Sequence, residues 1–276
     1  MSPLGNIVIL TGAGISAESG LQTFRAADGL WEGHRVEDVA TPEAFGRDAA
    51  LVHQFYDARR ARLGEVEPNA AHLALARLDA EWRGKLLIVT QNVDDLHERA
   101  GAKRLLHMHG ELKRGWCLAC GERFAWKGPM SPHAVRPELV DGLSVSSQEE
   151  VQSFDKLRTN GGLGDLGRSE LRTNGSNQCP SCQAEGQVRP DIVWFGEMPY
   201  EMEAIEAALF HADLFVSIGT SGAVYPAAGF VQTANYRGAR TLEINLEPSQ
   251  GSIFFDERRY GRASEEVPKW VAELLG

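Results

Sequence analysis

Three groups of residues in this chain have types and spacings that chemistry can use. The first is its complete set of four cysteines, which fall in two C-x-x-C pairs, Cys117/Cys120 and Cys179/Cys182. Four thiolates at these spacings suit a closed tetrahedral zinc site, structural because no position stays open for substrate. Redox chemistry is the rival use of a C-x-x-C pair, but no thioredoxin-like context surrounds either one. The second group is the turn Thr11-Gly-Ala-Gly-Ile-Ser-Ala17, with Gly12, Gly14 and Ala17 in a G-x-G-x-x-A pattern. Glycines there let the backbone approach a pyrophosphate, although the same pattern also makes a plain βα turn. The third is His107-Met-His109-Gly110, two of eight histidines, a side chain that titrates near neutrality and suits a general base.

A fourth pattern is less specific. In Phe55-Tyr-Asp-Ala-Arg-Arg60 the helical spacing puts Tyr56 and Arg59 on one face. A guanidinium beside a phenol can hold a carboxylate by charge-assisted hydrogen bonds, and the same residues also make an ordinary solvated basic face.

The elements that must position these groups follow from the apolar pattern. With 43% apolar and 24% charged residues over 276 positions, the chain can bury a sizeable core. Ile7–Leu10, Leu86–Val89, Leu214–Ile218 and Thr241–Ile244 are short apolar runs of the kind covered on both faces of a parallel sheet. Helical patterns such as Ala70–Trp82 and Met202–Phe210 lie between them. The alternation predicts an α/β fold, a Rossmann-like doubly wound parallel sheet, with ligands at the carboxyl ends of its strands. Residues 1–115 and 188–276 are assigned to that Rossmann-like domain and 116–187 to a small inserted zinc module. Within the module, Lys127–Gln178 is polar and carries the repeat Leu157-Arg-Thr-Asn-Gly161 and Leu171-Arg-Thr-Asn-Gly175. It is read as a mobile excursion without assigned function.

The net charge of −10 disfavours nucleic acid as a partner. No apolar run reaches the ~20 residues of a membrane span, and no basic leader precedes Ile7, so a cytoplasmic location is expected. The acidic residue that a dehydrogenase places ~20 positions after the glycine turn is missing. Gln22–Trp31 shows no strand pattern, which makes hydride transfer the poorest reading of a dinucleotide site and leaves Asn245 or Glu247 for the ribose.

Taken in order, Gly12–Gly20, Thr23-Phe-Arg25, Gln91-Asn-Val-Asp94, His109-Gly110, the two cysteine pairs, Pro190–Glu197, Gly219-Thr-Ser221 and Asn245-Leu-Glu247 resemble the sirtuin family, most closely its bacterial, desuccinylase-type members. The gap between the cysteine pairs exceeds the family's, which the 127–178 excursion accounts for. The resemblance implies NAD as co-substrate, structural zinc, and acyl-lysine protein substrates bound in a cleft between domain and module by a monomer. By position, Gly12, Ala13, Gly14, Phe24, Arg25 and Trp31 cover NAD, and Gln91, Asn92 and Asp94 hold its nicotinamide-ribose end. Gly219, Thr220 and Ser221 meet phosphate and ribose, while Asn245, Leu246, Glu247 and Ala263 meet adenosine. Val193, Phe195, Gly196 and Glu197 pair with the substrate backbone as an added strand. Tyr56 and Arg59 read succinyl, malonyl or glutaryl groups. His109 and Asn92 are the catalytic residues. In the implied reaction the acyl oxygen displaces nicotinamide from the ribose, and the base then takes a ribose hydroxyl proton. The products are nicotinamide, free lysine and 2′-O-acyl-ADP-ribose. Mono-ADP-ribosyl transfer from the same site, and a silent NAD or zinc interaction module, are the alternatives.

Overall fold

The computed structural model describes residues 5–22, 33–131 and 177–276, together with the backbone of 30 and 31. In chain order the elements begin with β1 (Asn6–Thr11), α1 (Ala13–Ala17), β2 (Leu30–Trp31), β3 (His34–Arg35), α2 (Val36–Val39), α3 (Pro42–Arg47), α4 (Ala49–Leu63) and α5 (Ala70–Glu81). They continue with β4 (Lys85–Thr90), α6 (Leu96–Ala100), β5 (Leu105–His107), β6 (Gly110–Cys117), β7 (Arg123–Ala125) and β8 (Val188–Ile192). The last are α7 (Met202–Phe210), β9 (Leu214–Ile218), α8 (Phe230–Tyr236), β10 (Arg240–Asn245), β11 (Glu257–Tyr260) and α9 (Ala263–Leu275).

Six strands form one parallel sheet in the order β11-β10-β9-β1-β4-β5. Because side chains alternate across a strand, the apolar run of β1 feeds two cores at once. Ile7 and Ile9 pack with Leu75 and Leu78 of α5 and with Val267, Trp270 and Val271 of α9. Val8 and Leu10 pack on the opposite face with Ile205 and Leu209 of α7 and Phe230 and Val231 of α8. Each such fully buried aliphatic contributes about 1.5–3 kcal/mol. Strand β1 is central, so the chain runs outward to β5 on one side and later to β11 on the other. The order reverses between β1 and β9, and there a crevice opens at the carboxyl ends.

A second sheet is antiparallel, β7-β6-β8, and carries the cysteines at one end. It extends past the expected limits of 116–187 at both ends, since β6 starts at Gly110 and β8 runs to Ile192. A third core joins α2, α3 and α4 to this sheet through Val52, Phe55, Tyr56, Leu112, Ile192 and Trp194.

Residues 132–176 of the excursion, with their repeat, lie outside the described residues, but both flanks are held. Asp57 of α4 accepts from the backbone N–H groups of Met130 and Ser131, each at 2.7 Å, and from Ser131 Oγ at 2.6 Å. One turn away on the same helix, His53 Nε2 accepts from Asn177 Nδ2 at 2.7 Å. Side chains at i and i+4 stand about 5–6 Å apart, so Ser131 and Asn177 leave the fold close together. Replacing 132–176 by a Gly/Ser linker of about five residues, with a reach of roughly 17 Å, is therefore expected to keep the zinc content and to move Tm by only a few degrees. Loss of zinc from the shortened protein, measured by elemental analysis, would contradict this.

Candidate active site

The crevice is a cleft of about 1020 Å³, at the top of the range of ordinary small-molecule pockets and large enough for a dinucleotide with a second substrate. On the Rossmann-like side it is lined by Gly12, Ala13, Gly14, Gln91, Asn92, Asp94, Gly219, Thr220, Ser221, Asn245, Leu246 and Glu247. On the other side stand His109, Tyr56, Arg59, Val193, Phe195, Gly196 and Glu197. Ala263 is not brought in. It opens the first turn of α9, and its side chain is buried in the core with Val267 and Trp270. Phe24, Arg25 and the Trp31 side chain lie outside the described residues.

The glycine turn is shaped by the switch point itself. Gly12 N–H donates to Ile218 O at 3.0 Å and Gly14 N–H to Gly219 O at 2.8 Å, so the turns after β1 and β9 touch through their backbones. A Cβ on Gly14 would lie 2.7 Å from Gly219 Cα, which excludes every larger residue without displacement. The result is a floor of bare backbone, a surface that a phosphate chain can approach closely. Asn245 braces this floor, donating from Nδ2 to Thr220 O at 2.8 Å, while Glu247 stays exposed at the rim.

Beneath the floor lies a buried polar cluster. Ser16 Oγ donates to Asp94 Oδ2 at 3.0 Å and accepts from Asn92 Nδ2 at 3.0 Å. His72 Nδ1 accepts from Asn69 N–H, so its other nitrogen carries the hydrogen and faces Ser16 Oγ at 3.4 Å. His97 Nε2 meets Thr11 Oγ1 at 3.1 Å. Burial pushes His72 down to about 4 and His97 to about 3, so both are neutral at pH 7. Burial also raises the Asp94 carboxyl, against the bonds from Leu96 N–H and Ser16.

The two neighbouring histidines are now distinguished. His107 is bonded at both nitrogens, to Asn92 O at 3.0 Å and Glu98 Oε1 at 2.7 Å. Burial would lower it, but the Glu98 bond and charge more than offset this and raise its pKa. Both of its nitrogens act as donors, which leaves none for chemistry. His109 makes one bond, from Nδ1 to Gln91 O at 3.1 Å. A carbonyl only accepts, so Nδ1 carries the hydrogen and Nε2 keeps the lone pair. Burial lowers the His109 pKa, opposed by the Gln91 bond, which favours the free base at neutral pH. The following residue holds this imidazole in place. Gly110 has φ +83°, and a Cβ there would lie 2.1 Å from Asp191 O, so β6 can approach β8 only with glycine at this position.

Opposite His109, α4 presents Tyr56 and Arg59 to the cleft together. Thr41 and Asp48 side chains cap α3 and α4, accepting from Ala44 and Leu51 N–H, and so set the angle at which α4 enters. Tyr56 Oη accepts from Trp194 Nε1 at 2.9 Å. The segment 193–197 departs from an open strand edge. Val193 N–H is donated to His109 O, Phe195 N–H to Ala40 O and Glu197 N–H to Trp194 O. Trp194 N–H goes to the Glu197 carboxylate, and Gly196 turns at φ +90°. Four of its N–H groups, those of Val193, Trp194, Phe195 and Glu197, are thus committed within the fold.

At the far end of β6 and β8 the four cysteine sulfurs lie within 4.8 Å of one another. The Cys117–Cys182 and Cys120–Cys179 sulfur distances are both 3.7 Å. A disulfide needs about 2.05 Å, whereas sulfurs at the corners of a tetrahedron about 2.3 Å from zinc stand about 3.8 Å apart. The donor set fits zinc, and the backbone repeats at each pair, since the residue after the second cysteine is left-handed in both, Gly121 at φ +78° and Gln183 at φ +63°.

Reading of the sequence missed Ser16 and Trp194. A serine inside a short helix and a buried indole both need a partner, and that was the available signal.

Comparison with known proteins places the chain in a family. The Sir2 family model matches residues 12–226. An NAD-dependent protein deacylase of Vibrio vulnificus is 54% identical over 99% of this chain and 95% of its own length. One of Bdellovibrio bacteriovorus is 51% identical over 98% and 97%. Among solved structures, a Sir2 homolog–NAD complex superposes with TM-score 0.74 at 31% identity, covering 98% of this chain and 91% of that one. Family model, relatives and fold agree, and the chain belongs to the Sir2 family.

Proposed function

We propose that the chain is an NAD-dependent protein lysine deacylase that removes acetyl and acidic acyl groups such as succinyl. Its products would be nicotinamide, free lysine and 2′-O-acyl-ADP-ribose. The observation that carries this reading is the single-bonded His109, with its Nε2 lone pair available, in one cleft with the bare glycine floor and the Asn92–Ser16–Asp94 cluster. NAD, when bound, supplies the cleavable nicotinamide–ribose bond and the ribose hydroxyls. The chain's own residues do the rest. Gly12, Gly14 and Gly219 admit the phosphates, and Asn92, held by Ser16, orients the reacting end. His109 Nε2 accepts a hydroxyl proton while Gln91 O holds the ring in its tautomer.

Both walls of the cleft come from one chain, which supports a monomeric working unit. No helix among the described residues is long and apolar enough to cross a membrane. That and the charge of −10 support a cytoplasmic enzyme acting on proteins rather than on nucleic acid.

The acyl preference rests on Tyr56 and Arg59. A charge-assisted hydrogen bond is worth about 1.5–3 kcal/mol, so Arg59→Met is expected to lower kcat/KM for a succinyl-lysine peptide roughly 10- to 100-fold. Deacetylation should change by less than about threefold. Mass spectrometry of acetyl- and succinyl-lysine peptides with NAD measures both, and an equal loss on the two substrates would remove the acyl-reading role. In the same assay, labelled ADP-ribose appearing on protein rather than on the acyl group would favour ADP-ribosyl transfer.

A further inference from the structure

Tyr56 and Trp194, which line one wall of the cleft, belong to a row of three aromatic rings with an arginine at each end. Arg189, almost fully buried, lies 3.3 Å over the Trp194 indole and grips the Glu197 carboxylate at 2.6 and 2.9 Å. The indole stacks against Tyr56 at 6.5 Å between centroids and 30° between planes. Tyr56 meets Phe55 edge-on at 5.1 Å, and the Arg59 guanidinium lies 3.1 Å over the Phe55 ring. Both Trp194 and Tyr56 are sealed from solvent, at 2% and 0% exposure.

Within this stack the bond between Trp194 and Tyr56 has only one possible sense. An indole N–H donates and cannot accept, so Tyr56 Oη is the acceptor at 2.9 Å and its own hydrogen points away from the indole. Packing on both sides prevents the phenol from swinging to undo this. Burial raises the Tyr56 pKa, so the hydroxyl keeps its proton at any physiological pH.

We propose that Trp194 is a positioning residue for acidic acyl groups: by donating to Tyr56 Oη it directs the phenol hydrogen toward the acyl carboxylate that Arg59 pairs. Its place between Val193 and Phe195 couples that orientation to the segment lying along the substrate backbone. The proposal rests on the reading of Tyr56 and Arg59 as the acyl-carboxylate site.

Phenylalanine at 194 keeps a ring between Arg189 and Tyr56 and removes the N–H. The test is steady-state kinetics on succinyl- and acetyl-lysine peptides at saturating NAD, for wild type, Trp194→Phe, Tyr56→Phe, their double mutant and Arg59→Met. Trp194→Phe is expected to lower the succinyl-to-acetyl ratio of kcat/KM about five- to tenfold, mainly through KM for the succinyl peptide. In a Tyr56→Phe background it should lower the ratio no further, because the bond is already gone. Two results overturn the proposal while the acyl site stands: a ratio within twofold of wild type although Arg59→Met lowers it, or a double mutant that falls well beyond Tyr56→Phe alone. An unchanged ratio in Arg59→Met removes the acyl site itself, and this proposal with it. Where Trp194→Phe melts more than about 5 °C low, benzothienylalanine placed at 194, with sulfur for N–H, carries the same comparison.

Discussion

Replacing His109 by alanine should leave an enzyme that folds, holds zinc and binds NAD, yet deacylates roughly a thousandfold more slowly. General-base catalysis contributes about 10²–10⁴ in rate, and among the described residues no other histidine lines the cleft. His107 is bonded at both nitrogens, and His72 and His97 lie buried below the glycine floor. The loss should fall on kcat, with KM for NAD within about threefold, because the Nδ1 bond to Gln91 O orients a base and holds no cofactor. The pH profile follows from the same bond. As the proposed base His109 must be unprotonated, and burial holds its pKa below the ordinary imidazole value. Activity is therefore full above that lowered pKa and is lost as pH falls through it, on the acid side of 6.5. The raised His107 behaves in the opposite sense. Its pairing with Glu98 stabilises the fold below the unfolded pKa, and that contribution fades as pH rises through the folded one. His107→Gln should therefore cost stability on the acid side and leave the position of the catalytic limb unchanged. Stopped-assay mass spectrometry from pH 5 to 9 measures the limb. A limb centred above pH 7, or an alanine variant with near-native kcat, would remove His109 from its role.

Much of this site can be read in the sequence because its parts are punctuated by residues with few alternatives. Apolar runs for strands buried on both faces, such as Leu214–Ile218, match the strand found, and the helix over Met202–Phe210 matches likewise. Edge strands were hidden for a physical reason. Strand β11 reads Glu-Arg-Arg-Tyr and is mostly exposed, so it is held by its backbone pairing with β10 and not by an apolar pattern. The boundary of the zinc module was hidden as well, because β6 and β8 carry buried residues like any core strand and only their antiparallel pairing assigns them. Least legible were contacts between distant segments. That Trp194 would bond Tyr56, or that Asp57 would hold Met130 and Ser131, follows from packing across 138 and 73 positions of chain. The commitment of the 193–197 N–H groups is of the same kind, since Ala40 O and His109 O reach them only in the folded molecule.

Removing zinc should abolish deacylation even though the metal site lies on the order of 20 Å from His109, at ~3.3 Å per residue along β6. Strands β6 and β8 pair from Gly110↔Ile192 at the cleft to Cys117↔Val188 at the sulfurs. His109 directly precedes β6 and the 193–197 segment directly follows β8, so the cysteine cluster pins the remote end of the strand pair that, on the proposed function, sets the distance between base and substrate. Beyond the bonds that tie Met130, Ser131 and Asn177 to α4, the apolar support among the described residues at that end is small. The local core is Cys117, Trp126, Met130, Cys179 and Val188, with Phe124 partly buried, and two of its members are themselves ligands. Structural zinc in such small sites is worth an apparent 10–16 kcal/mol, comparable to the whole stability of a domain. Loss should also reach α4, because Met130 and Ser131 fill the Asp57 carboxylate beside the face that carries Tyr56 and Arg59. Cys120→Ser or Cys182→Ser, or chelation in mild denaturant, is therefore expected to reduce kcat/KM at least tenfold on both acyl substrates. NAD binding should weaken less, because none of the six strands of the parallel sheet comes from the β7-β6-β8 sheet. Zinc release read with a chromophoric chelator, alongside turnover and NAD titration, separates the two effects. A metal-free protein with native activity and an unchanged melt would show that the β7-β6-β8 sheet stands on its own core.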